Sequence, residues 1–198
     1  MNKLIQIDEN ISVKFNKLVS DNNLNHTFWK YAAEYSTYAF PLLFVYLWFF
    51  YPKLREVSLR AAVIGIIGWK VIAPLVAYFF FRPRPVDMGI LGEKEVLFKR
   101  PSYSFPSDHA IFLFSVATGF YIAGYKQLGA ALYIVAIIIT LSRVVVGVHF
   151  IGDIIIGALI GITIALLAWH YRDMLDPIFV KPFINLAKWL HLAKLVNF

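Results

Sequence analysis

Long apolar runs broken by short polar turns make up most of the chain. A bilayer core about 30 Å thick asks for roughly 20 mainly apolar residues per helix. Five stretches come near that length, at about residues 28–51, 59–81, 107–125, 128–142 and 151–169. The first carries Pro41, which a membrane helix tolerates when neighbours satisfy the freed carbonyl, and Pro52 with Lys53, Arg55 and Glu56 closes it. The second is apolar except for Lys70 and stops at Arg82-Pro83-Arg84-Pro85, where two prolines forbid continued helix. Before the first run, Leu4, Ile7, Ile11, Phe15 and Leu18 recur every three or four residues, the spacing of one face of a surface-lying helix. Residues 1–27 are too polar to contain the apolar centre of a signal peptide, so this segment is expected to be retained. After the fifth run Pro177 is expected to break the chain, and Lys181, Lys188, His191 and Lys194 mark a basic amphipathic helix within 176–198. The pattern predicts an all-α fold: one polytopic membrane helix bundle over 1–198, with about five spanning helices and interfacial helices at both ends. Gly157 and Gly161 form a Gly-x-x-x-Gly pair that predicts close helix packing.

Composition narrows the class. With 60% hydrophobic, 17% aromatic and 16% charged residues in 198, the chain has more apolar surface than a soluble domain of this length buries. Its net charge of +7 is scattered or placed at helix ends, without the basic runs interleaved with aromatics that nucleic acid would need. Anionic lipid head groups explain the charge better. The absence of cysteine excludes disulfides, thiolate metal sites and a cysteine nucleophile.

Ionisable groups at membrane depth are costly, so each needs a partner or a job. Three clusters stand out: Arg84-Pro85 after the second run, Pro106-Ser107-Asp108-His109 at the start of the third, and Ser142-Arg143 with His149 and Asp153 between the fourth and fifth. Serial crossings put all three on one membrane face. The connection 86–106 between the first two clusters is long and polar, a kind of loop that is more often functional than idle. Arg84 and Arg143 offer planar, permanently charged forks matched to phosphate oxygens. Ser107 begins a helix, where a hydroxyl and backbone N–H groups make an anion site. Asp153 follows His149 by four residues, so a carboxylate can hold one ring nitrogen and leave the other to attack phosphorus. His149 reads as nucleophile, and His109 as the acid that protonates the leaving oxygen and then the base for water, which predicts a bell-shaped pH profile. No metal or cofactor is required, since arginine supplies the charge and the carboxylates are not clustered as magnesium ligands would be. Taken singly, Arg84-Pro85 could be a helix stop, Ser107 a cap, and His149 with Asp153 a buried structural pair; their joint occurrence on one face argues for shared function. Lys70 is either a pathway residue or one reaching a buried partner.

At these residues the chain resembles the type-2 phosphatidic acid phosphatase superfamily, whose signature is lysine-x6-arginine-proline, proline-serine-glycine-histidine and serine-arginine-x5-histidine-x3-aspartate. Ser142 to Asp153 meets the third part in full, Pro106-Ser107-Asp108-His109 meets the second with Asp108 in the glycine position, and Arg84-Pro85 meets the first without its lysine, whose place holds Ala77. Lys70, Lys99 and Arg100 are the candidates to replace that lysine in space. The resemblance covers about residues 60–170 and implies a catalytic core there. Size, the Pro-Ser-Asp-His variant and the missing lysine are most similar to bacterial undecaprenyl diphosphate phosphatases of the bacitracin-resistance type. That likeness implies a metal-independent hydrolase of a polyprenyl diphosphate, in the bacterial cytoplasmic membrane, with its pocket on the outer side. Positive charge does not itself choose an orientation. Phosphatidylglycerophosphate, phosphatidate and lipid A phosphates stay open as substrates, and a homo-oligomer is compatible with this reading. Two other classes compete: the vanadium haloperoxidases, which resemble the superfamily but are soluble, and a non-catalytic lipid-binding or transport protein.

Overall fold

The computed structural model describes residues 3–20, 23–90 and 103–189, and within them the regular elements are helical. In chain order they are α1 (Lys3–Ser20), α2 (Asn23–Tyr35), α3 (Ala39–Phe50), α4 (Arg55–Ile67), α5 (Ala73–Phe79), α6 (Asp108–Ile122), α7 (Lys126–Val145), α8 (Ile151–His170), α9 (Arg172–Phe179) and α10 (Lys181–Trp189). Short 3-10 turns join α2 to α3 and α3 to α4, and a π-helical turn, Gly68–Ile72, joins α4 to α5. Three runs are long and apolar enough to cross a membrane: Pro52–Phe79, Lys126–Val145 and Ile151–His170. The other two expected crossings are shorter apolar helices, α3 and α6. At about 1.5 Å per residue, the 15 residues of α6 rise roughly 22 Å, and α3 is extended backwards by α2 through the turn Ser36–Tyr38.

Helix α6 is the centre of the bundle. Ile111, Leu113, Val116, Ala117 and Phe120 are all buried, covering most of its circumference, as expected of a helix apolar on all sides. It packs against α4, α7 and α8. Contact with α8 is close because Gly157 and Gly161 lack a Cβ: one on Gly157 would lie 2.6 Å from the Ser107 carbonyl, and one on Gly161 would strike the Ile111 carbonyl. The predicted glycine pair is therefore the seam between the two helices. Away from the motif residues, Arg60 of α4 holds Asp176 of α9 through both carboxylate oxygens, and Trp169 lies under Arg60 and Arg172.

Helix α1 covers the periodic residues Leu4 to Leu18 and turns its polar face inward. Leu4 is 72% exposed, Ile11 49% and Leu18 81%, whereas Ser12 is fully buried and Asn16 nearly so. The apolar side points away from the bundle and the polar side lies on it. At the other end of the chain, Pro177 falls inside α9 and the helix breaks at Val180, three residues beyond the expected stop. His191 and Lys194 lie outside the described residues.

Candidate active site

Backbone hydrogen bonds draw the three sequence clusters to one end of the bundle. After α5 the chain runs extended, and the Val86 N–H donates to the Gly147 carbonyl (3.0 Å) while the Arg84 guanidinium donates to the Val148 carbonyl (3.3 Å). The Ser104 N–H donates to the Arg82 carbonyl (2.7 Å), and the Ser107 N–H to the Asp153 carbonyl (3.1 Å). Between α7 and α8 the chain reverses at Gly147, whose φ of 73° is one that L side chains avoid. The Arg143 carbonyl closes this turn by accepting from Val148 (3.0 Å) and His149 (3.4 Å). Arg84, Ser107, Arg143, His149 and Asp153 are all buried, and His109 is partly so.

His149 is held from behind. Its Nδ1 lies 2.7 Å from the Ser104 carbonyl and 3.8 Å from the Asp153 carboxylate. The nearer acceptor is thus a backbone oxygen, and the expected carboxylate partner stands farther off. Asp153 occupies the third position of α8, where its carboxylate bends back to accept from the Phe150 N–H (2.8 Å); its other oxygen accepts from Arg82 (3.1 Å). The Ser104 carbonyl can only accept, so in the neutral ring Nδ1 carries the proton and Nε2 the lone pair. Nε2 faces Asp108 at 3.9 Å.

Ser107 caps α6, accepting from the Ala110 N–H at 3.4 Å. The next residue supplies what the sequence left undefined. One oxygen of Asp108 lies 2.7 Å from Nδ1 of His109 and accepts from the His109 N–H at 2.8 Å; the other accepts from the Trp69 indole N–H at 3.1 Å. Trp69 stands in the π-helical turn, a feature often found at functional sites. Lys70 lies on the outer side, its ammonium 3.7 Å from the Trp69 ring centre. Lys99 and Arg100, the other candidates for the missing lysine, lie outside the described residues, as does most of the 86–106 connection. Burial and the Asp108 carboxylate push the Tyr103 phenol up from its ordinary value, so it stays a neutral hydroxyl at neutral pH.

The two imidazoles and Asp108 each place a ligand atom within 4.8 Å of the others, a span that a single tetrahedral oxyanion can bridge. The same trio could in principle hold a metal ion. Arg143 lies within electrostatic reach of His109, and a fixed positive charge there favours an anion over a cation. Beside His109, an apolar cleft of ≈ 180 Å³ is lined by Tyr38, Pro41, Trp69 and Phe112. Sequence reading missed Ser104, Trp69 and Arg82 as members of the site. Of these, Arg82 stands in the Arg82-Pro83-Arg84-Pro85 run that ends the second apolar stretch, and Ser104 and Trp69 belong to no motif.

The PAP2 superfamily model matches residues 58–176, more than half of the chain. The chain belongs to the PAP2 superfamily. Undecaprenyl-diphosphatase BcrC of Bacillus subtilis is 27% identical over 158 residues, covering 79% of this chain and 77% of that relative. An undecaprenyl-diphosphatase of Sulfolobus acidocaldarius is 26% identical over 175 residues, covering 84% and 82%. Among solved structures, Aquifex aeolicus LpxE superposes with a TM-score of 0.63 at 27% identity, covering 80% of this chain and 94% of that one. A PAP2-type phosphatidylglycerolphosphate phosphatase of B. subtilis superposes with a TM-score of 0.60 at 21% identity, covering 88% of each, a likeness of fold. The PAP2 assignment and the apolar helices together make this a membrane phosphatase acting on a lipid phosphate.

Proposed function

We propose that the chain hydrolyses a polyprenyl diphosphate, of the undecaprenyl kind, to the monophosphate and inorganic phosphate through a phosphohistidine on His149. One observation carries the reading: Nδ1 of His149 is held by the Ser104 carbonyl, with Asp153 behind it, while Nε2 faces Asp108, whose carboxylate bonds His109. In the first step the Nε2 lone pair attacks the terminal phosphorus. The bond from that phosphorus to the bridging oxygen breaks, and His109 donates its proton to the leaving monophosphate. Asp108, bonded to His109 Nδ1, keeps that imidazole oriented. Arg84, Arg143 and the amides at the start of α6 hold the equatorial oxygens, whose charge grows in the transition state. In the second step His109 takes a proton from water, the hydroxide attacks phosphorus, and the phosphorus–nitrogen bond breaks to release phosphate and free His149.

The names of the two undecaprenyl-diphosphatases support the choice of lipid. The apolar cleft at Trp69 and Phe112 suits a prenyl chain leading away from the diphosphate. On this reading the protein sits in a cytoplasmic membrane with the site on its outer side, and needs no metal.

Detergent-purified protein should release phosphate from farnesyl or undecaprenyl diphosphate in the presence of EDTA, with a bell-shaped pH profile, and His149→Ala should abolish release. Loss of activity with EDTA would refute the arginine-only site. Faster turnover of phosphatidate, phosphatidylglycerophosphate or lipid A would move the substrate assignment. Activity surviving in His149→Ala would remove the nucleophile.

A further inference from the structure

The polar stripe of α1 lies on the turn that carries His149, although nothing in α1 reaches the reacting groups. Asp8, Ser12 and Asn16 are four residues apart and so share one helix face. Burying polar groups in a membrane protein is costly unless each finds a partner, and each here finds one that a helix end leaves unsatisfied. Asn16 donates to the carbonyls of Val145 and Val144, at the end of α7. The Ser12 hydroxyl accepts from the Ile151 N–H (2.9 Å), and the Asp8 carboxylate from the Gly152 N–H (2.7 Å), both at the start of α8. The last carbonyls and first amides of a helix pair have no partners inside their own helices. Side chains some 130 to 140 positions earlier supply them on both sides of the same turn.

Asp8 has a second role. Its other oxygen lies 2.6 Å from Arg82, which also reaches Asp153 at 3.1 Å and has its Cζ over the Phe150 ring, 3.7 Å from the centroid. Arg82 thereby ties α1 to the carboxylate behind His149. The fit is close on the other side too: a Cβ on Gly152 would lie 2.8 Å from the Asp8 carboxylate, and its three nearest neighbours would all be Asp8 atoms. The apolar side of α1 faces outward, as it does in a helix lying along a membrane surface, so the polar stripe is what attaches α1 to the bundle; Phe15 is the residue of the predicted apolar face that contributes to the interior.

We infer that α1 and Arg82 form a strap that positions His149, with Asp8, Ser12, Asn16 and Arg82 as positioning residues that never touch the substrate. The inference rests on the phosphatase reading for its consequence in turnover, and on hydrogen bonding alone for its consequence in rigidity. Loosening the strap lets the imidazole wander from its line of attack and leaves the phosphate-binding arginines in place. The loss should therefore fall on kcat, roughly tenfold to hundredfold, with KM within about twofold.

The full chain can be tested in detergent with farnesyl diphosphate, using Asp8→Asn, Ser12→Ala and the outward-facing Ile11→Ala. Asp8→Asn and Ser12→Ala should lower kcat at near-constant KM and speed amide hydrogen exchange across residues 144–153; Ile11→Ala should do neither. Because the chain has no cysteine, the pair Asp8→Cys/Gly152→Cys gives a clean tether, in which the space vacated by the carboxylate receives the new side chain. Oxidised, this variant should turn over faster than after reduction, a rescue that mere destabilisation would not produce. Unchanged exchange across 144–153 in Asp8→Asn overturns the strap, as does an equal fall of kcat in the oxidised and reduced pair. Wild-type protein that releases no phosphate from any lipid phosphate, while exchange still responds to Asp8→Asn, sinks the phosphatase reading and leaves the strap standing.

Discussion

Asp108 stands where the family signature has glycine, and its two oxygens face different residues. One meets His109, the other is fixed by the Trp69 indole. A charged acceptor orients an imidazole more firmly than a neutral one, so Asp108→Asn should lower kcat by roughly tenfold to hundredfold, with the protein still folded by near-UV circular dichroism. Trp69→Phe removes the indole donor and keeps the ring, and should cost less than tenfold in the same phosphate-release assay, because His109 retains its carboxylate. A larger loss in Trp69→Phe than in Asp108→Asn would contradict this order of dependence. At this scale the sequence was legible where particular side chains recur at a fixed spacing: Arg84, Ser107, His109, Arg143, His149 and Asp153 all stand in the motifs, and backbone hydrogen bonds draw those motifs to one end of the bundle. Ser104 was not, because it acts on His149 through a backbone carbonyl that any residue would offer. The Asp8 to Arg82 pairing was hidden for another reason: it joins residues 74 positions apart across the fold.

Helices meet in this protein where they are thinnest. Gly157 sits against the carbonyl of Ser107 and the Cβ of Ala110, while Gly161 sits one turn farther along against Ile111 and Ser115. Overpacking such a seam costs about 1–3 kcal/mol, so Gly157→Ala and Gly161→Ala should both lower the thermal midpoint in detergent. The two should separate in activity. Gly157→Ala pushes on Ser107 itself and should reduce kcat/KM beyond its effect on stability, whereas Gly161→Ala presses on α6 below the site and should leave kcat/KM close to wild type at temperatures where both are folded. Equal activity losses in the two variants would mean that the seam, and not the placement of Ser107, is what matters. Element boundaries were readable wherever apolar length and a stop residue coincided, as at α8, expected over 151–169 and found over Ile151–His170. Where a helix draws on partners elsewhere in the fold, local sequence misled: Pro177 did not end α9, and the periodicity of α1 located its apolar side without telling which side would meet the protein.

The bundle has two unlike ends. One gathers Arg84, Ser107, His149 and the turn into α8; the other holds the Arg60 to Asp176 pair, Trp169 and the Tyr125 hydroxyl donating to the Lys53 carbonyl. Met88 is exposed at the first end and Tyr171 at the second. In proteoliposomes of uniform orientation, single-cysteine variants Met88→Cys and Tyr171→Cys should therefore react with a membrane-impermeant maleimide from opposite sides, the cysteine-free chain giving no background. Reaction of both from one side would break the bundle topology and the gathering of motifs that depends on it. Between these ends the widened coil at Gly68–Ile72 sets the phase of everything that follows. A π-turn takes up about one residue more than an α-turn, and each residue of an α-helix turns its successor by about 100°, so the same residues wound as a regular helix throughout would complete the crossing with the exit swung round by nearly that angle. Arg82 and Arg84 would then leave the bilayer facing the wrong neighbours. Such a protein would keep every motif letter for letter and still be unable to close its grip on a phosphate.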